Sequence, residues 1–182
     1  MGELSESELL IMFQDKSSRQ KAFGHIVQQF QQPIYFYIRR MVLDHDDAND
    51  IAQNTFIKAW KGLDNFRSES KFSTWLYRIA TNESITFLHK QKKIKGIPFE
   101  DVEHALSSSL EADVHYNGDE IQRKLQTAIA NLPNKQKAVF IMKYYEEKKY
   151  KEISDITGTS VGALKASYHH AVKKIEDFLT LD

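Results

Sequence analysis

Cysteine is absent from this 182-residue chain. Disulfide staples, thiolate nucleophiles and cysteine-based zinc sites are thereby excluded, and the composition suits a reducing compartment. Proline and glycine are scarce, at three and seven residues, while 41% of the chain is hydrophobic, so the chain reads as folded, not disordered. No apolar run approaches the roughly 18 residues that a membrane span needs. The opening MGELSESELL carries neither the basic n-region nor the apolar h-region of a signal peptide, and a cytoplasmic location without membrane insertion is expected. Met1-Gly2 is a minor signal for myristoylation in this acidic context. The length admits one domain or two modest ones.

Net charge is missing too, because 25 basic residues balance 25 acidic ones. The charges are segregated, however. Asp44, Asp46, Asp47 and Asp50 form an acidic cluster, and Lys90, Lys92, Lys93 and Lys95 a basic one. From Glu100 to Glu120 every charged residue is acidic, and the last third turns basic again through Lys143, Lys148, Lys149, Lys151, Lys165, Lys173 and Lys174. Blocks of this kind serve either as solvated helix faces or as surfaces for several macromolecular partners.

What is present is helical periodicity. Ser5 with Glu8 has the form of a capping box. Phe23, Ile26, Val27 and Phe30 follow at helical spacing, and Pro33 is expected to open a separate helix through Ile34, Ile38, Met41 and Val42. Ala48, Ile51, Ala52, Thr55, Phe56, Ala59 and Trp60 make one apolar stripe. A polar loop from Gly62 to Ser70 precedes a long helix through Phe72, Trp75, Leu76, Ile79 and Ala80, reaching about Lys90. The period lapses from Gly96 to Gly118, with a weak helical turn near Val102 to Leu106, and resumes at Ile121. Pro133 opens a further helix. The expected fold is all-α, with helical domains at 1–95 and 119–182 joined by a flexible acidic linker over 96–118.

Near the end, YKEISDITGTSVGALKASYHHAVKKI has the punctuation of a helix-turn-helix. Gly158 permits the left-handed residue that ends the first helix and Ser160 caps the second. Val161, Leu164, Tyr168, Ala171 and Ile175 would face the core, leaving Lys165, Ser167, His169, His170, Lys173 and Lys174 for other faces. In such a motif the second helix enters the major groove, with cations along the phosphates. An ordinary helical hairpin can be punctuated in the same way. The adjacent histidines diverge by about 100° and make a poor metal pair.

In the first half, Phe66, Phe72, Trp75 and Tyr77 lie close in sequence to Arg67, Lys71 and Arg78. Aromatic faces beside cations suit unpaired bases and their phosphates, although Phe72, Trp75 and Leu76 at helical spacing equally suit a core.

Two stretches carry a family resemblance. DANDIAQNTFIKAWKGLDNFRSESKFSTWLYRIATNESITFL resembles region 2 of the extracytoplasmic-function (group 4, sigma-70 family) RNA polymerase sigma factors. LPNKQKAVFIMKYYEEKKYKEISDITGTSVGALKASYHHAVKKI resembles their region 4. The resemblance implies a subunit that binds core polymerase, directs it to −35/−10 promoters and helps to open the DNA. Its partners would be the clamp helices of the largest subunit, the flap region, promoter DNA and an anti-sigma factor. Asp50, Ile51, Gln53 and Phe56 match the family pattern for polymerase binding. Asn65, Phe66, Arg67, Ser70, Lys71, Trp75 and Asn82 match the region that captures a flipped base of the −10 strand. Ser160, Lys165, Ser167, His169, His170 and Lys173 would face the −35 duplex, and the acidic linker would thread through polymerase. Departures fall at Asn54, Thr81, Thr86, Ser167 and His170, where glutamate, arginine, aspartate, arginine and arginine are common. A missing arginine–guanine contact would change base preference.

Two other classes fit less of the chain. A DNA-binding regulator that recruits no polymerase accounts for 121–182 and leaves Asp47 to Lys90 unexplained. An enzyme lacks its machinery here: there is no phosphate-cradling glycine loop, no nucleophile–base set and no carboxylate pair at ligand spacing. Asp46 and Asp47 are explained as dipole compensation at a helix start. No cofactor or metal is expected.

Overall fold

The computed structural model describes residues 4–67, 69–95 and 120–180. The expected linker over 96–118, with its turn near Val102 to Leu106, lies outside the described residues. Eight α-helices are described: α1 (Glu6–Gln14), α2 (Arg19–Val42), α3 (His45–Gly62), α4 (Phe72–Lys95), α5 (Glu120–Ala130), α6 (Asn134–Tyr144), α7 (Tyr150–Thr157) and α8 (Val161–Leu179). No strand occurs among the described residues.

Helix starts follow local chemistry. Ser5 and Glu8 form the reciprocal capping box on α1. Asp44 accepts from the Asp47 N–H at 2.9 Å to cap α3, with Asp46 and Asp47 in the first turn. The start of α4 is capped from a distance. The Glu6 carboxylate of α1 accepts from the backbone N–H of Phe72 at 2.8 Å and of Ser73 at 3.3 Å. Two donors that no intrahelical carbonyl can reach are thereby satisfied.

One expectation fails. Pro33 does not open a new helix, because α2 runs unbroken through it. Its ring lies on the exposed face, and Phe30, Ile34 and Tyr37 are buried on either side of it. The single hydrogen bond that proline forfeits is outweighed by apolar side chains that each gain roughly 1.5–3 kcal/mol on burial.

The N-terminal core is built from α1 to α4 around Leu9, Ile26, Ile34, Ile38, Met41, Phe72 and Leu76, all nearly inaccessible. A buried bond between the Tyr37 and Thr81 hydroxyls (2.9 Å) ties α2 to α4. Ion pairs Arg19–Asp64 and Lys58–Glu83 tie α2 to the Leu63–Asn65 turn and α3 to α4. In the C-terminal domain, α6 buries six consecutive residues, Lys137 to Met142. A helix buried all round is a central one, and α6 packs on α7, α8 and α2.

Candidate nucleic-acid interface

The turn after α3 bends the chain into a loop that lies against the first two turns of α4. Phe66 donates its N–H to the Leu63 carbonyl at 3.1 Å, and Leu63 is buried beneath it. The Phe66 ring then meets Trp75 at 5.3 Å and Phe72 at 5.9 Å between centroids, while Phe72 and Trp75 lie 5.7 Å apart. Phe72 is 2% exposed, whereas Phe66 and Trp75 are half-buried. A side chain on Gly62 would place its Cβ 3.2 Å from Trp75, so this glycine lets the indole lie close against the end of α3.

The half-buried rings face a cavity of about 620 Å³. It is lined by Asn65, Phe66, Arg67, Ser70, Lys71 and Trp75, together with Thr74 and Arg78. Six of the seven expected −10 residues are thus brought together, and the seventh, Asn82, sits exposed on α4 two turns beyond Trp75. Aromatic faces with three exposed cations, Arg67, Lys71 and Arg78, offer stacking to a base and charge to its phosphates. Sequence reasoning left Thr74 out of the site, and it named Arg78 among the neighbouring cations although the family pattern did not include it. Helical spacing was the available signal for Arg78, which follows Trp75 by three residues and Lys71 by seven.

The cavity has a second wall that no sequence pattern announced. Lys151, Glu152 and Asp155 of α7 line it from the other domain. Next to it, Glu146 meets α2 and α4: one carboxylate oxygen lies 3.0 Å from Arg40, and the other accepts from the Tyr77 hydroxyl at 2.8 Å. Burial, then the Glu146 charge, pushes the Tyr77 phenol well above its ordinary value. The Lys148 ammonium stands 3.8 Å from the centre of the Tyr77 ring, and burial pulls its pKa down.

The helix-turn-helix forms as expected. Gly158 takes φ 69° and donates its N–H to Ser154, and the Ser160 hydroxyl accepts from Ala163 at 3.3 Å. Leu164, Ala171 and Ile175 are buried, and Val161 and Tyr168 half-buried. Lys165, His169, His170 and Lys173 are exposed, whereas Ser167 is half-buried. The two histidine rings sit 6.1 Å apart, and no cluster of three or more metal-ligating side chains occurs among the described residues.

On α3, the four residues expected to bind polymerase separate. Asp50 and Gln53 are exposed; Ile51 and Phe56 are 5% and 9% exposed and belong to the core. The exposed face instead adds Asn54 and Ile57 beside Gln53. Residues 51 and 56 lie on the inward stripe of a 3.6-residue helix, and 50, 53, 54 and 57 on the outward one. No described helix is long and apolar enough to cross a membrane.

Comparison with known proteins places these parts. Residues 26–94 match the Sigma-70 region 2 family, and residues 122–175 match Sigma-70, region 4. The ECF RNA polymerase sigma factor SigW of Bacillus subtilis is 36% identical over 167 residues, covering 86% of this chain and 88% of that protein. The RNA polymerase sigma-H factor of Pseudomonas aeruginosa is 31% identical, covering 87% and 86%. Among solved structures, the sigma factor RpoE of Bartonella quintana, determined in complex with the anti-sigma factor NepR, superposes with a TM-score of 0.69. It is 21% identical, with 89% of this chain and 99% of that one covered. CnrH in complex with the cytosolic domain of CnrY gives 0.67 at 21% identity, covering 96% and 97%. At that identity the two structures share the fold with this chain.

Proposed function

The chain belongs to the extracytoplasmic-function RNA polymerase sigma factors, a family of transcription initiation factors, and on that premise we propose how its parts divide the work. Residues 1–95 dock on core polymerase and open the −10 element, residues 119–182 read the −35 duplex, and the acidic stretch 96–118 passes through the enzyme between them. The exposed Asp50, Gln53, Asn54 and Ile57 touch the clamp helices, and Ile51 and Phe56 hold that face from beneath. The chain itself carries out no catalysis. It acts in the cytoplasm, held on polymerase or by an anti-sigma factor of the kind seen with RpoE.

The observation that supports this reading best is the cavity of Asn65, Phe66, Arg67, Lys71, Trp75 and Arg78. A base turned out of the duplex costs a few kcal/mol of pairing and stacking. Stacking on Phe66 or Trp75 returns about 1–3 kcal/mol, and the cations hold the flanking phosphates. On α8, Lys165, His169, His170 and Lys173 form the duplex-facing side, and the Ser160 end of the helix approaches base edges.

The test is run-off transcription with purified bacterial core polymerase and a pool of genomic promoter fragments. Discrete transcripts that depend on the added chain are expected, and their start sites give the promoter consensus. Absence of transcripts, with no co-purification with core, would favour a DNA-binding regulator that acts apart from polymerase.

A further inference from the structure

The wall that α7 contributes to the cavity leads beyond strand capture to what the cavity does before any strand arrives. The loop between α6 and α7 is held firmly. Glu146 donates its N–H to Ile141 at 3.2 Å, Lys148 donates to Met142 at 3.0 Å, and Glu147 between them takes a left-handed φ of 50°. That turn sends the side chains on both sides of it onto the N-terminal domain. Glu146 engages Arg40 and Tyr77, Lys148 lies over the Tyr77 ring, and the Arg40 guanidinium stands 4.7 Å over Tyr145. At the next residue of α4, Arg78 donates to the backbone carbonyl of Asp155. One of the three cations that line the cavity from the N-terminal domain is thus engaged by α7.

We propose that the strand-reading face of α4 is an interaction surface whose occupant in the free chain is the α6–α7 loop and α7, latched by Glu146 against Arg40 and Tyr77, and that single-stranded DNA and α7 compete for it. The idea rests on the reading of this cavity as the strand site. Glu152 and Asp155 put carboxylates on the wall facing Arg67, Lys71 and Arg78, each steadied from its own helix, Glu152 by the Lys149 N–H and Asp155 by Lys151. Negative charge therefore stands where phosphates would pass. A strand that enters must displace it, so the latch lowers the apparent affinity by the fraction of chains that are open.

The chain has no cysteine, so two can be introduced for spin labels at the exposed Gln28 and Asp177, and the inter-domain distance can be measured in the full-length protein. Binding of a fluorescent, randomised single-stranded DNA of about 12 nucleotides is followed in the same variants, with and without core polymerase. The native latch is expected to give a narrow distance distribution. Glu146→Gln and Arg40→Glu should each broaden it and tighten binding by the free chain about tenfold. The reversed pair, Arg40→Glu with Glu146→Arg, should restore both readings and rules out simple misfolding. An unchanged distribution in Glu146→Gln would overturn the latch. A broadened distribution with unchanged affinity would overturn the competition, and so would strand capture with core but no gain on opening; both leave the strand site in place. No binding by any variant, with core or without it, would remove the strand reading and this proposal together.

Discussion

On α8 the residues that build the fold and those that face outward are different. Leu164, Ala171 and Ile175 are buried, and Lys165, His169, His170 and Lys173 stand clear of them. Around the loop that joins α3 to α4 the two jobs are shared. Phe72 is inaccessible, yet it touches Phe66 and Trp75, which line the cavity. A duplex presents its edges and phosphates to whatever rests in its groove, so a helix can read it with side chains the core does not need. An unpaired base must be enclosed and stacked, and a pocket deep enough to do so reaches the core. Stability and recognition should therefore be separable in the C-terminal domain and coupled in the N-terminal one.

The largest effect expected from that contrast is at Phe72. Phe72→Ala removes a fully buried ring from the aromatic cluster and should cost about 3–5 kcal/mol in urea unfolding, with strand opening lost alongside. A loss below about 1 kcal/mol would show that the cluster contributes little to the core. Phe66→Ala comes next. With the ring half-buried, it should cost less in folding and remove about 1–3 kcal/mol of stacking on a base. Closed complexes on duplex promoter should persist while permanganate reactivity of the −10 strand falls. Reactivity equal to that of the native protein would remove this ring from the site.

How far the sequence revealed these parts depended on how local the signal was. The Gly158 and Ser160 punctuation of the helix-turn-helix is local, and both helices begin and end where it says. The apolar stripe of α3 already placed Ile51 and Phe56 on the inner face; the family pattern put them on the binding surface, and periodicity describes their burial better. Pro33 misled because a local rule about proline was overridden by tertiary burial of Phe30, Ile34 and Tyr37. The cluster of Arg40, Tyr77 and Glu146 had no local trace at all, since Glu146 lies 106 residues from Arg40 and 69 from Tyr77. Thr81, where the family often has arginine, is buried and bonded to Tyr37. The departure at this position thus belongs to packing as much as to DNA.

Where the two domains meet, a smaller effect should appear in alkali. Burial raises both the Tyr37 and Tyr77 phenols, Glu146 adds to the rise at Tyr77, and Arg40 opposes it there. Their folded pKa values exceed the unfolded value of about 10. The stability they contribute is therefore whole below about pH 10 and is lost as pH climbs above it. Lys148, whose pKa burial lowers, works in the opposite direction as pH approaches the ordinary lysine value. Unfolding midpoints should drop between pH 9 and pH 11, roughly the range bracketing the free phenol, and Tyr77→Phe should make that drop shallower. A drop of the same size in the variant would mean that Tyr77 ionises without disturbing the contact.

The smallest effect on folding is expected at Lys165, where recognition should change alone. Its ammonium is exposed and stands 6.0 Å from the Tyr150 ring centre, at the outer limit for a cation–π contact, which at an exposed site yields about 0.5–1 kcal/mol at most. Lys165→Ala should shift the unfolding midpoint by no more than about 0.5 kcal/mol. On duplex −35 DNA it removes one phosphate contact, so the slope of log affinity against log salt should fall by about 0.9. The loss should be nearly uniform across sequences, because a phosphate contact carries no base information. A variant that lost stability as well would show that α8, like the Phe66 loop, reads with residues its own fold requires. An unaltered slope at unaltered stability would place Lys165 off the DNA and shift the duplex-facing side toward His170 and Lys173.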